Sequence, residues 1–470
     1  MSDLLAILSQ GAASLSASRA AAATASHNLQ NANTPGYARQ TAVIAATLPA
    51  DWSGSGYIGR GSVLQSVSQA RDQFLEAQIP AQLGQSSRSS SQASSLQAVA
   101  VLDPQYGAGL GDALSKFYGA LRAMAQNPSD PGLRSQVVSS TRALGQAFQR
   151  TRTGLEDARS GLDAKLQGDV GEVNSLATQV AGLNNQIRTA RAGGGGEPND
   201  LLDARLKAVD RLAELTGVAP VNTSDGDVSL FLPGGSPLVS GAAASSLVAT
   251  PGAPAGHVGL SIKGPGGSTV AYTGMGGEMG GLLDARDGAM KTAVDGLDSM
   301  AFDLGAAVNA VHQAGFGLDG TTGDALVTTG VAAGAAGRFD VSAAVLGDPR
   351  RLAAADVAAS PTSAAPGNAT NWQLLVATES GLLSGGLTAA SGLSKLTTDF
   401  GAASQTATAL SGQDAALKDH LTQMRDSVSG VSIDEEMVNL TKSQRAYEAV
   451  AKVITTANDL LGTLMTIAGN

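Results

Sequence analysis

The stretch Ala32-Asn33-Thr34-Pro35-Gly36-Tyr37, inside Asn28 to Gln40, decides how the N-terminal part of the chain folds. Apolar spacing upstream stops at Leu29. Asn31 and Asn33 tolerate left-handed backbone, and Thr34 is pushed out of the helical region by the proline after it. Pro35 presets φ at the first central position of a type II turn and Gly36 supplies the positive φ needed at the second. Tyr37 then begins an extended segment running to about Ile44. A helix must therefore end here and the chain must change direction.

Working back from the turn, Leu4, Leu8, Gly11, Leu15, Ser18, Ala22, Ala25 and Leu29 recur at alternating spacings of four and three, the seam of a coiled-coil helix. Half of that seam is small residues, so the helix buries too little area to stand alone and needs a partner. The far end of the chain offers one. Ser432 and Glu435 have capping-box spacing, and Asp434, Glu435 and Glu436 place three acids where the helix dipole favours them. A seam of Ile433, Met437, Leu440, Gln444, Tyr447, Ala451, Ile454, Asn458, Leu461 and Met465 follows. Two weak seams, one at each end, pair most simply with each other.

Between the ends, a helix is expected from near Val67 with a break at Pro80, resuming through Leu83, Leu96 and Val99 to Asp103-Pro104. Leu114, Phe117, Leu121 and Met124 mark a short amphipathic helix ending at Asn127-Pro128. From Leu133 to about Ile187, Leu144, Phe148, Leu155, Leu162, Leu166, Val173, Val180 and Ile187 outline a rod of about 80 Å with one phase shift at Leu162 to Leu166. The pentapeptide Leu-Leu-Asp-Ala-Arg occurs at Leu201 to Arg205 and again at Leu282 to Arg286. Each copy is expected to open a helix, and its Asp and Arg to form surface ion pairs or caps of little energy. Helical spacing returns from Leu393 to Val428.

The copies bracket a Gly-, Pro- and Ser-rich segment with alternating runs at Asp227 to Leu232, His257 to Lys263 and Thr269 to Thr273, which reads as antiparallel β structure. A similar tract spans 315–371, with Arg338 to Ser342 its best strand. The fold class is mainly α with inserted β: paired terminal helices, a long-helix bundle and a small antiparallel β domain in nested order. The expected divisions are 1–45 with 430–470, then 46–215, 282–314 and 372–429, and outermost 216–281 with 315–371.

Composition excludes several functions. A net charge of -10 and a pI near 4.9, with no concentration of Lys and Arg, argue against nucleic acid or an anionic membrane as partner. There is no cysteine, and His27, His257, His312 and His420 lack metal-ligand spacing, so no metal or cofactor is expected. Gly54-Ser55-Gly56-Tyr57-Ile58-Gly59 spells a dinucleotide fingerprint by letters, but extended chain rather than a helix follows it. Asp319 to Asp324 lacks the ligand order of a calcium loop. No nucleophile elbow or phosphate loop occurs, so no enzyme is expected. Leu4 to Leu8 is too short for a signal-peptide core and no basic region precedes it, so export, if it occurs, is expected by another route.

The turn and the helix before it closely resemble the signature of the flagellar axial proteins, the family of rod, hook and hook-associated subunits. Asn127 to Asp130 before a long helix, Leu201 to Arg205 after a glycine break, and Gly430 to Leu440 running on through Gln444 and Tyr447 resemble its hook-associated members; the resemblance fades over 216–281 and 315–371. It implies a non-catalytic structural subunit, exported unfolded by the flagellar type III apparatus and assembled as a ring at the junction of hook and filament on the extracellular flagellum. Implied partners are the hook protein, the next hook-associated protein on the filament side, further copies of the chain, and an export chaperone. In this reading Asn31, Asn33, Thr34, Pro35, Gly36 and Tyr37 form the assembly turn, and Leu4, Leu8, Leu15, Ala22 and Leu29 the N-terminal seam. Ile433, Met437, Leu440, Tyr447, Ile454 and Leu461 serve both assembly and the chaperone. The alternatives are a rod, hook or flagellin-like subunit, whose β-rich middle or missing Thr34-Pro35-Gly36-Tyr37 turn fits less well, or a non-flagellar fibre or adhesin.

Overall fold

The computed structural model describes residues 2–47, 52–53, 56–57, 61–99, 109–194, 196–252, 256–357 and 367–468; side chains are described between 7 and 466, except at 52–53 and 56–57. The side chain of Leu4, most of the Gly54 to Gly59 loop, and Asp103-Pro104 lie outside the described residues.

Helix α1 (Ser2–Gln30) ends as expected, and strand β1 (Gln40–Ala46) pairs antiparallel with β4 (Ser62–Gln69); a two-residue ladder of β2 (Trp52–Ser53) and β3 (Gly56–Tyr57) lies between them in sequence. Helix α2 (Gln73–Gln97) begins later than the sequence suggests and runs through Pro80 without a break. An interior proline removes a backbone hydrogen bond and costs about 3 kcal/mol. Packing of α2 against two other helices offsets that cost: Gln82 donates to the Asp414 carbonyl on one side, and on the other Arg88 pairs with Asp284.

Helix α3 (Leu110–Gln126) leads to the rod, α4 (Pro131–Ala192), capped by Asp130 with Pro131 in its first turn. Its 62 residues reach about 90 Å. The phase shift anticipated at Leu162 to Leu166 is where α4 passes from one hydrophobic core to another. Val137, Leu144, Phe148 and Leu155 belong to a core with α3, α7 and the segment from Leu326 to Leu375; Leu166, Val173, Ala177 and Val180 belong to a second core with α5 (Asn199–Thr216) and the sheets. Charged Arg159 and Asp163 are buried between the two.

The β segment forms two antiparallel sheets, as the alternating runs indicate. One orders β5 (Ala219–Asn222), β6 (Val228–Phe231), β7 (Pro237–Ser240) and β8 (Ala243–Ala244) sequentially; the other places β10 (Gly259–Lys263) between β9 (Ser246–Thr250) and β11 (Thr269–Tyr272). The segment leaves and re-enters the helices at one point, where the Gly276 N–H donates to the Thr216 carbonyl at 3.1 Å. Gly217 ends α5 with φ +69°, and a Cβ there would lie 3.0 Å from the backbone of Gly276. Both the turn and the close approach require glycine.

After the sheets come α6 (Gly277–Asp284), a π-helical turn (Ala285–Met290) and α7 (Lys291–His312). The second tract, expected to resemble the β segment, does not. Its described part holds one two-residue ladder, β12 (Val327–Thr328) with β13 (Asp340–Val341), and the short helices α8 (Ala335–Arg338) and α9 (Ala343–Gly347). It packs into the first helical core, where Phe339 lies on Phe148 with ring centres 5.1 Å apart. Alanine and glycine there permit close approach to α4 rather than a sheet. Helices α10 (Thr370–Ala377), α11 (Ala389–Ser429) and α12 (Ile433–Ala468) complete the chain.

The repeated pentapeptide departs most from its sequence reading. The first copy lies within the opening turns of α5, but the second spans the end of α6 and the π-helical turn. In both copies the aspartate pairs outward: Asp203 with Arg71, and Asp284 with Arg88 at 2.7 Å. In both, the arginine is buried. Arg205 donates to Asn184 Oδ1 at 3.0 Å and the Gly226 carbonyl at 2.9 Å; Arg286 donates to Asp163 Oδ1 and, at 2.8 Å, to the Val258 carbonyl. Each thus pins one sheet to α4, at points three heptads apart. These are not weak surface pairs. Arg286→Met leaves a buried Asp163 carboxylate short of a cation and should cost about 3–5 kcal/mol in urea unfolding. Arg205→Met strands only neutral acceptors and should cost about 1–3 kcal/mol.

Candidate functional site

The two ends of the chain meet. Helix α1 packs along α12, and the β1–β4 hairpin covers another side of α1, with the Ser62 N–H donating to Ser14 Oγ at 3.2 Å. Glycine at position 11 brings the terminal helices close, since a Cβ there would lie 2.6 Å from Ile454 Cγ1. Along the expected N-terminal stripe Leu8, Leu15, Ser18, Ala22 and Leu29 are half-buried and Gly11 and Ala25 buried; Ala17, outside it, is buried as well.

The C-terminal seam is displaced by one heptad position. Leu440, Ile454 and Leu461 are half-buried as expected, but the companion row that turns inward is Glu436, Ser443, Val450 and Ala457. Ile433 and Met437 are about half exposed, and Tyr447 is 40% exposed. The reason is Glu436: its carboxylate is drawn inward by polar partners, rotating α12 away from the purely apolar choice.

The turn itself follows its sequence closely. The Tyr37 N–H donates to the Thr34 carbonyl at 3.2 Å across Pro35 and Gly36, with Gly36 at φ +81°. Asn31 Nδ2 donates to the His27 carbonyl at 3.0 Å, and Thr34 Oγ1 to Asn31 Oδ1 at 3.3 Å. Asn33, Thr34 and Pro35 are exposed and Gly36 and Tyr37 half-buried.

What sequence reasoning missed is the residue the turn closes upon. Asn28 is buried, and its amide uses its full hydrogen-bonding capacity. Oδ1 accepts from the Gln40 N–H at 2.9 Å and from the Tyr37 hydroxyl at 2.7 Å; Nδ2 donates to the Gln40 carbonyl at 2.8 Å and to Glu436 Oε2 at 3.1 Å. Glu436, 3% exposed, takes Arg39 Nε on its other oxygen at 2.8 Å, while Arg39 Nη1 meets Glu435 Oε2 at 3.0 Å. The Arg39 N–H donates to the Ser429 carbonyl, the last residue of α11. So Glu435 does not close the capping box: the Glu435 N–H lies 3.4 Å from Ser432 Oγ, but its carboxylate goes to Arg39. The signal available in the sequence was three acids where the dipole asks for fewer, opposite an arginine just past the turn.

Helix α5 completes the joint. Asp200 receives Gln40 Nε2 at 3.1 Å and lies 3.3 Å from His27 Nε2; Asp203 receives Gln69 Nε2 at 2.7 Å. Burial first, then the carboxylates of Asp203, Asp200 and Glu436, push the Tyr37 phenol far up, so it stays a donor. A notch of about 280 Å³ remains between turn and helix, lined by His27, Asn31, Tyr37, Asp200, Asp203 and Lys207. The arrangement fixes the geometry of the turn against α5 and α12. Among the described residues, no group of three or more His, Cys, Asp or Glu could hold a metal, and no helix is long and apolar enough to cross a membrane.

The chain is similar to known proteins. The profile of the "Flagellar hook-associated protein FlgK helical domain" matches residues 97–327, and that of the "Flagellar basal body rod FlgEFG protein C-terminal" matches 423–467. The first runs through 216–281, where the quoted motifs fade. Flagellar hook-associated protein 1 of Salmonella typhimurium is 29% identical over 331 residues, 67% of this chain; the match spans 58% of that relative's length. The protein of that name in Bacillus subtilis is 29% identical over 486 residues, 95% of each chain. The structure of the flagellar hook junction protein FlgK from Burkholderia pseudomallei superposes with a TM-score of 0.68 at 18% identity, covering 75% of this chain and all of that one.

Proposed function

From the premise that the chain belongs to the family of flagellar hook-associated protein 1, we propose that it is a structural subunit of the bacterial flagellum that forms the junction ring between hook and filament. One observation carries the reading. The terminal helices are joined at Asn28, Arg39 and Glu436, while α12 keeps a long apolar surface that the described residues do not cover: Met437, Val438, Val453 and Leu460 are each about half exposed and Met465 is 68% exposed. Apolar area of that extent on a helix is stable when neighbouring subunits surround it.

In this proposal residues 1–45 and 430–470 are the inner assembly unit, with Asn31, Asn33, Thr34, Pro35, Gly36 and Tyr37 as the hinge that turns the chain outward. The helices of 46–215, 282–314 and 372–429 form the middle layer, which 315–371 joins, with 216–281 outermost. Partners are copies of the chain, the hook protein below and the next hook-associated protein above. An export chaperone holds the stripe from Ile433 to Leu461 before secretion, and the role is non-enzymatic.

Electron microscopy of a strain lacking the gene tests the proposal. Intact hooks without filaments are expected. Unaltered flagella would overturn it.

A further inference from the structure

Helix α5 joins the signature turn at one end to the sheets at the other, and three carboxyls at its contacts bury an oxygen without a partner among the described residues: Asp203, whose other oxygen takes both Arg71 and Gln69, and two that are less well supplied. Asp169 on α4 is buried, and its Oδ2 has no hydrogen-bond partner among the described residues. It faces Glu278 of α6 and Arg211 of α5, with Lys165 and Glu172 on its own helix. The nearby cations are already engaged: Arg211 with Glu172 at 2.7 Å and Glu214 at 3.0 Å, and Lys165 with Glu278. Asp210 on α5 repeats the pattern. Its Oδ2 has one long contact, 3.3 Å to Arg425 of α11, its Oδ1 is buried without a partner among the described residues, and Glu76 of α2 and Glu214 of α5 face it.

We propose that these two carboxyls form a proton-operated lock, which tightens α5 against α4 and α6 on one side and against α2 and α11 on the other when both are protonated. A buried carboxylate without a full set of donors, facing further carboxylates, is costly as an anion; as an acid it removes the repulsion and gains a donor. Burial is the leading cause in both cases, pushing Asp169 up to about 6 and Asp210 up to about 7. Because the folded values lie above the unfolded one, the folded state binds protons more tightly. The stabilisation is absent at pH 8, grows as pH falls through 7 and 6, has reached roughly half its full size at pH 5, and is complete only below the ordinary carboxyl value of 3.8.

Stability of the full chain against urea at pH 8 and pH 5 tests this with Asp169→Asn, Asp210→Asn and the double variant. Wild type should gain at least about tenfold more in folding equilibrium constant between pH 8 and pH 5 than either single variant, and more again than the double. The double variant should be the more stable protein at pH 8, with the difference narrowed at pH 5. Site-resolved carboxyl NMR titration of wild type is the second readout, independent of whether the variants fold, and should find both groups changing between pH 5 and 8. Equal differences at the two pH values, or two carboxyls already ionised at pH 5, would overturn the lock.

Discussion

Deleting residues 431–470 should abolish assembly while the central part of the chain stays folded. Neither large hydrophobic core draws a residue from α12, so the unfolding midpoint of the truncated chain should match full-length protein to within a few degrees, with a helical signal reduced by the loss of α12 and the fraying of α1. What the deletion removes is the partner of α1 and the two acids that hold Arg39. Alone, α1 is rich in alanine and serine and poor in large apolar residues, so amides of residues 2–30 should exchange at close to unfolded rates. Motility of a strain carrying only the truncated chain should equal that of a strain without the gene. Wild-type swimming would show that the C-terminal helix is dispensable.

Asn28→Ala should have the largest effect of any single substitution at the joint. It removes four hydrogen bonds at once and leaves the Gln40 N–H and carbonyl, the Tyr37 hydroxyl and one oxygen of Glu436 without their partner. With each stranded buried group costing about 1–3 kcal/mol, partial rehydration still leaves a local loss of about 3–5 kcal/mol. The cooperative unfolding of the central cores should move little, because Asn28 belongs to neither. Instead, hydrogen exchange at residues 37–44 and 433–440 should accelerate together by a hundredfold or more. Asn28→Asp separates geometry from chemistry: it keeps the shape but turns a donor toward Glu436 into a second acceptor, and should be as damaging above the carboxylate range.

Much of this architecture was legible before any coordinates. Pro35 and Gly36 have backbone preferences strong enough to fix a turn without help, and the heptad spacing at both ends states that each helix lacks a partner. The β run at 259–263 alternates because one face of its sheet is covered, whereas 228–231 is covered on both faces and 269–272 is largely exposed, so their alternation marks a strand without marking a face. What was not legible depends on which distant residue arrives. Pro80 looks like a stop because its cost is local and the packing that offsets it is not. The tract at 315–371 has the composition of a β module, but its small residues serve close packing on α4. The pentapeptide arginines look like surface charges until Asn184, Asp163 and the sheet turns are brought to them. At the joint, Glu436 reads as one of three helix-start acids; only the fold shows that it turns inward to Asn28, shifting the seam of α12 as it does so.

The account rests on the two ends of the chain forming one unit, and the absence of cysteine makes that directly measurable. A chain carrying Gly11→Cys and Ile454→Cys has just two thiols, at positions where a Cβ and the isoleucine side chain are in contact. Mild oxidation of the purified monomer, and of flagella built with the variant, should give an intrachain disulfide that closes the chain into a loop of faster electrophoretic mobility, abolished by reduction. A chain that stays open in both preparations, or that cross-links only between subunits, would contradict the pairing of α1 with α12.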